Sequence, residues 1–430
     1  MLSNISVPLL AMVDAGVLGH LDSPVYLAGV ALAGAIFSLM FMGMNFLRMG
    51  TTGIAAQHFG SGDGAGLRQS IWQAIIVALA IASALVALQY PIASIAWQLL
   101  DAEPDIEQAG RIYFHIRIWG APATLINFAL IGWFIGAQNA RVPLLIVLTT
   151  NVINIVLDLV FVVGLGMKTD GVAIASVIAE TSGMLVGLYC LRRALSKWPA
   201  PMNAHALTRL SSYSRFFSVN GNIFVRTVTL VGTLAFFTAQ SSRFGASIVA
   251  ANAILFNFQY LLSYGLDGLA NAAEALVGKA WGARSGAALR RAVRLTLAWS
   301  VGLAVAFSAA YAVTGVPLIN LLTDIPEVRA AAIMFLPWMI LSPIVSVFSF
   351  LYDGVFVGTT WAREMRNIML ASTLLIFIPA WYLTYGWNNH GLWFALTLFM
   401  AARGIGMAIA YQYKLNSAAT RDWLAGGATK

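Results

Sequence analysis

Leu144-Leu-Ile-Val-Leu-Thr-Thr-Asn151-Val-Ile-Asn154-Ile-Val-Leu-Asp158-Leu-Val-Phe-Val-Val163 reads as a helix built for oil. At about 1.5 Å per residue it is long enough to cross a hydrocarbon layer roughly 30 Å thick. Its single formal charge is Asp158. Asn154 stands four residues before Asp158, and Asn151 one turn earlier, so the three share one stripe of a helix. A soluble helix turns its polar face outward. Here the apolar residues surround the polar stripe, so the stripe has to face other helices or a wet cavity.

The same character fills the chain. Of 430 residues, 60% are hydrophobic and 10% charged, with a mean hydropathy of +0.80. Soluble domains carry about 25% charged residues. No soluble core hides this much apolar surface, so lipid is the expected solvent. Apolar runs between polar or Gly/Pro breaks predict twelve spans: 1–18, 26–57, 66–97, 106–137, 141–163, 170–193, 209–240, 246–279, 287–314, 327–358, 364–385 and 389–414. Met1 opens directly into apolar sequence with no basic leader, which is a poor signal peptide. The first span is short, so the natural start is expected upstream.

Net charge is +8, and the basic residues sort by loop. With both termini cytoplasmic, seventeen lysines and arginines fall inside, and only Arg111, Lys168, Arg243 and Arg329 fall outside. Topology therefore accounts for the charge, and nucleic acid is not needed as a partner. Cys190 is the only cysteine, which excludes disulfides within the chain. The histidines are scattered, with no metal-ligand spacing, nucleophile motif or nucleotide-binding loop. An enzyme is not expected, and neither is a cofactor or a resident metal.

A shift of 222 residues lays Gly60 on Gly282, Gly64 on Gly286, Leu67 on Leu289, Arg68 on Arg290, Gly132 on Gly354, Gly136 on Gly358 and Arg141 on Arg363. A shift of 220 lays Gly166 on Gly386 and Gly171 on Gly391. This is an internal repeat of six spans. An even number brings both halves in from the same side, so the repeats run parallel. The expected fold is an all-α membrane protein of two six-helix lobes around a central cleft. Residues 1–194 form the N-lobe, 195–208 a cytoplasmic linker with Pro199 and Pro201, and 209–430 the C-lobe with a short cytoplasmic tail.

Charges inside spans are costly and mark function or ion pairing. Asp14, Asn154 and Asp158, with Ser176 on the next span, are the candidates for cation or proton coupling. A carboxylate lining a polar pocket can exchange a proton as the protein changes state. Pro8 frees a carbonyl of the first helix and lets it bend. Asn151, Glu180, Asp267, Glu274, Asp353 and Arg48 are candidates for further coupling or for structural ion pairs. Arg48 and Arg403 are the expected partners of Glu180, Asp267 or Glu274, and Asp353 is a candidate for a second cation pocket in the C-lobe. Phe37, Phe41, Met42, Met44, Phe256 and Tyr260 are candidates to line the cleft, since aromatic faces attract cations and methionines adapt to varied ligands.

Asp14 in the first span, Phe46-Leu-Arg48-Met-Gly-Thr-Thr-Gly53, Asn154-x3-Asp158, Leu266-Asp267-Gly268 with Glu274, and Asp353-Gly-Val-Phe-Val-Gly358 with Glu364-Met-Arg366-Asn367 resemble the multidrug and toxic compound extrusion (MATE) family, in its DinF branch. The resemblance runs along nearly the whole chain. It implies alternating access in an inner membrane, export of cationic amphipathic compounds by a monomer, and coupling to cation entry, with protons favoured over sodium. A lipid-linked precursor flippase is the alternative of related architecture. The acidic and neutral N-lobe candidates argue against its anionic headgroups.

Overall fold

In the computed structural model the chain is helical throughout its described residues, which are 23–200 and 204–425 together with Gly16. Eleven helices among them are long and apolar enough to cross a membrane, from Pro24–Ser61 to Asn389–Asn416. They coincide with the second to twelfth predicted spans. The first, 1–18, lies outside the described residues apart from Gly16, and Pro8 and Asp14 lie outside with it.

One compact unit ends at Phe216 and another begins at Phe217. The N-terminal unit comprises α1 (Pro24–Met44), α2 (Phe46–Ser61), α3 (Gly64–Ala87), α4 (Gln89–Leu100), α5 (Pro104–Arg117), α6 (Ala121–Gly136), α7 (Arg141–Asp158), α8 (Thr169–Leu195) and the short α9 (Ala204–Thr208). The helix predicted over 66–97 is broken at Leu88. Pro91 has no N–H to offer the carbonyl of Ala87, where α3 ends. Pro122 deprives Ile118 in the same way, and residues Ile118–Gly120 tighten into a 3-10 turn.

The expected linker does not hang free. Arg68 donates to the carbonyls of Ala200 at 2.8 Å and Leu195 at 3.2 Å, and Gln73 donates to that of Ser212 at 3.1 Å. Tyr213 and Phe216 are buried in the apolar core of the N-terminal unit with Leu67, Ile71 and Trp133. The first unit therefore ends inside the next helix, not within 195–208.

The C-terminal unit comprises α10 (Ser214–Ser241), α11 (Ala246–Gly282), α12 (Gly286–Leu322), α13 (Pro326–Thr359), α14 (Ala362–Ala371), α15 (Ile378–Leu383), α16 (Asn389–Asn416) and α17 (Ala418–Ala425). α13 is its centre and packs on α11, α12 and α16.

The repeat is written into the backbone of both units. Gly62 and Arg284, 222 residues apart, both take left-handed φ, at 70° and 52°. Gln138 and Thr360 do the same, at 61° and 58°. Asp63 caps α3 by accepting from the Gly66 N–H at 2.8 Å, and Ser285 caps α12 through Ala288 at 3.3 Å. The equivalence reaches past the spans. Gly64 lies against Trp198 of the linker, and its mate Gly286 lies against Leu424 of the terminal helix.

Candidate functional site

The quoted stretch folds as α7 and a following π-helical turn, Leu159–Gly164. Its two faces differ sharply. Asn151, Asn154 and Asp158 are 8%, 3% and 0% exposed, while Val152 and Val156 are 58% and 51% exposed. The valines face the solvent of the spans, which is lipid, and the polar stripe faces inward. Asn154 Nδ2 donates to Asp158 Oδ2 at 2.9 Å. Such a bond offsets part of the cost of a buried carboxylate. The Asn151 amide nitrogen is buried without a hydrogen-bond partner. Asp158 is the last α-helical residue before the chain widens into the π turn, a feature common at functional sites. A carboxylate with an amide one turn away can hold a proton or release it, since its oxygens accept when ionised and one donates when protonated.

The neighbouring α8 packs along α7, close enough that a Cβ on Gly183 would stand 3.3 Å from the Ile146 carbonyl. Ser176 is buried on α8. Glu180, one turn later, is held by Arg117 through both carboxylate oxygens, with Nη1 to Oε2 at 2.9 Å. Thr124 donates to the same carboxylate, and Asn127 donates to the Glu180 carbonyl at 3.0 Å. This corrects the expected pairing of Glu180 with Arg48 or Arg403. Arg48 instead donates from Nε to Asn45 Oδ1 at 3.0 Å. Phe37 is buried, stacked on Phe114 at 5.0 Å and on Phe41 at 5.7 Å, with the Arg117 guanidinium 5.5 Å from its ring centre. Met44 packs on the core, and Met42 is exposed.

In the C-terminal unit Asp353 on α13 is clasped by Arg226 of α10 and by Arg403 of α16, the latter at 2.8 Å. A second cation pocket at Asp353 is therefore corrected, because two guanidiniums already crowd the carboxylate. Arg403 also proves to serve Asp353 rather than Asp267 or Glu274. Phe256 and Tyr260 do line a cavity, the one that holds this cluster. On the same helix Asp267 is half-buried and Glu274 buried. Charged residues inside spans were the signal for Arg117 and Arg226, but only packing shows whom they meet. The sequence reading missed Asn252 and Asn389, which exchange amide hydrogen bonds at 2.8 and 3.0 Å, with Trp393 Nε1 adding a third at 2.9 Å.

The MatE family model matches residues 1–160 and 223–383. The chain is 37% identical over 411 residues to the DNA damage-inducible protein F of Escherichia coli (strain K12), covering 95% of this chain and 89% of that protein. It is 24% identical over 404 residues to a probable multidrug resistance protein NorM of Rhizobium meliloti (strain 1021), covering 88% and 84%. The fold matches a crystal structure of MATE in the bent conformation with a TM-score of 0.89, at 17% identity, over 98% of this chain and 94% of that one. The two blocks matched by the family model contain Asp158 in the first and Arg226 and Asp353 in the second. A multi-pass helical membrane protein with these matches is a transporter rather than an enzyme, and it belongs to the MatE family.

Proposed function

We propose that the protein is a proton-coupled multidrug antiporter of the cytoplasmic membrane that exports cationic amphipathic compounds by alternating access. The observation that carries this reading is the buried Asn154–Asp158 pair on the inward stripe of α7. Proton entry neutralises Asp158 and turns one of its oxygens from acceptor to donor, so the charge-assisted bond from Asn154 weakens to a neutral one and the new O–H needs an acceptor of its own. The α7–α8 seam repacks, Ser176 of α8 with it, and this face of the N-terminal unit loses its attraction for a cation. Asp14 serves as a second proton-carrying carboxylate on the first span, whose bend at Pro8 accompanies the change. Coupling requires that the proton bind the two states unequally. A difference of one pKa unit between states is worth about 1.4 kcal/mol. The protein acts as a monomer with both termini on the cytoplasmic side.

Efflux from proteoliposomes, with the pH and sodium gradients imposed separately, tests the reading. Drug movement should follow the pH gradient in sodium-free buffer, and movement that follows sodium alone would replace the proton. Asp158→Asn and Asp14→Asn should each lower efflux by about tenfold or more while the protein still inserts. Undiminished efflux from Asp158→Asn would remove that residue from the mechanism.

A further inference from the structure

The cavity of the C-terminal unit, about 110 Å³, has the aromatic walls Phe256, Tyr260 and Trp393 and contains Arg226, Asp353 and Arg403. Two guanidiniums against one carboxylate leave one excess positive charge, and among the described residues no other charged side chain lines the space. All three residues lie within membrane-spanning helices, where a charge without a counter-ion is costly. The donors are also short of acceptors. Both arginines converge on Asp353 Oδ2 alone. Arg403 Nη1 turns to Met400 Sδ at 3.3 Å, a weak acceptor, and Arg226 Nε is buried with none. The Ser342 hydroxyl, 2.7 Å from Gln259 Oε1 and 3.4 Å from the Ser346 hydroxyl, adds polarity to the same wall. Asp353 Oδ1, likewise without a partner, opposes an anion but does not outweigh two guanidiniums.

We propose that this cavity binds an aromatic monocarboxylate of benzoate size, its carboxylate on Arg226 and Arg403 and its ring against Phe256 and Trp393. One anion brings the cluster to neutrality and supplies the missing acceptors. The volume is of the order of the engineered cavity of about 150 Å³ that takes one benzene ring. The same excess charge turns cations away, so the site is distinct from the cation pathway proposed for the N-terminal unit and needs neither Asp158 nor a proton gradient.

Radiolabelled benzoate titrated onto the full-length protein in phosphatidylcholine nanodiscs tests this. Saturable binding is expected, and benzylamine should not displace it. Arg226→Gln should weaken it by about tenfold or more, since a charge-assisted hydrogen bond is lost. Asp353→Asn, which removes the opposing carboxylate and keeps the shape, should tighten it, and this variant decides the matter if Arg226→Gln does not fold. Asp158→Asn should leave it unchanged, which separates this site from the antiport reading. Absent binding, equal displacement by benzylamine, or unaltered affinity in Asp353→Asn would each overturn the proposal. Displacement by anionic phospholipid added to the nanodiscs would hand the site to a lipid headgroup and overturn it as well.

Discussion

A Cβ added to Gly358 would stand 2.7 Å from the carbonyl oxygen of Glu274, so α13 and α11 touch backbone to backbone. In the other unit Gly136 meets the Thr52 carbonyl at 2.6 Å, at the position 222 residues earlier in both helices. Without a hydrophobic drive between helices in lipid, such close approach is how they associate. Gly358→Ala and Gly136→Ala should each destabilise by about 1–3 kcal/mol through overpacking. Gly302→Ala, where the added methyl meets open space, should be neutral or slightly stabilising. Thermal unfolding in detergent distinguishes the two outcomes.

The Arg117–Glu180 pair is largely buried, at 12% and 16% side-chain exposure. Glu180→Gln leaves a guanidinium without its counter-charge and should cost about 3–5 kcal/mol. The double variant Arg117→Met, Glu180→Leu should recover much of that loss, because two apolar chains replace two charges. Comparing the melting temperatures of the single and double variants checks this. A double variant as unstable as the single would show that the loss comes from packing around the site rather than from the unpaired charge.

Asn252 and Asn389 satisfy each other inside the C-terminal unit. Asn252→Leu strands both the Asn389 amide and the Trp393 N–H, and should cost about 1–3 kcal/mol per stranded group. Asn389→Leu leaves the Trp393 bond in place and should cost less. Equal losses in the two variants would mean that the Trp393 bond contributes nothing.

Asp63, in the turn between α2 and α3, caps α3. Burial pushes its carboxyl up, but the Gly66 N–H and the His58 imidazole at 2.9 Å outweigh burial and hold it below its ordinary 3.8. A carboxylate with a depressed folded pKa adds stability that is fully present above its unfolded value. That stability is lost as pH falls through the folded value. Asp63→Ala should therefore cost about 1 kcal/mol at neutral pH. The gap to the unaltered protein should close below about pH 4. A gap that persists in acid would assign the effect to packing rather than charge.

The second to twelfth spans and the repeat were legible in the sequence. The predicted span 327–358 shows how far this goes, since helix α13 runs Pro326–Thr359 and its repeat glycines lie where the 222-residue shift puts them. The stripe Asn151, Asn154 and Asp158 was legible too, because helical spacing alone brings these residues to one face. Breaks were less so. The interruption at Leu88 depends on Pro91 acting four residues back, within a run of otherwise unbroken hydrophobicity.

What the residue order determined by itself was local: where the chain enters lipid and which face of each helix is polar. The cost of placing a residue in lipid is summed along a single helix, so it can be read without knowing the neighbours. What only the tertiary structure decided was which charges meet. Arg117 and Glu180 are 63 residues apart, Arg403 and Asp353 are 50 apart, and Arg226 and Asp353 are 127 apart. Any intramembrane arginine satisfies the same rule of composition. Which carboxylate it reaches depends on which helices bring their side chains together, as α10, α13 and α16 do at Asp353, and separation along the chain carries no record of that.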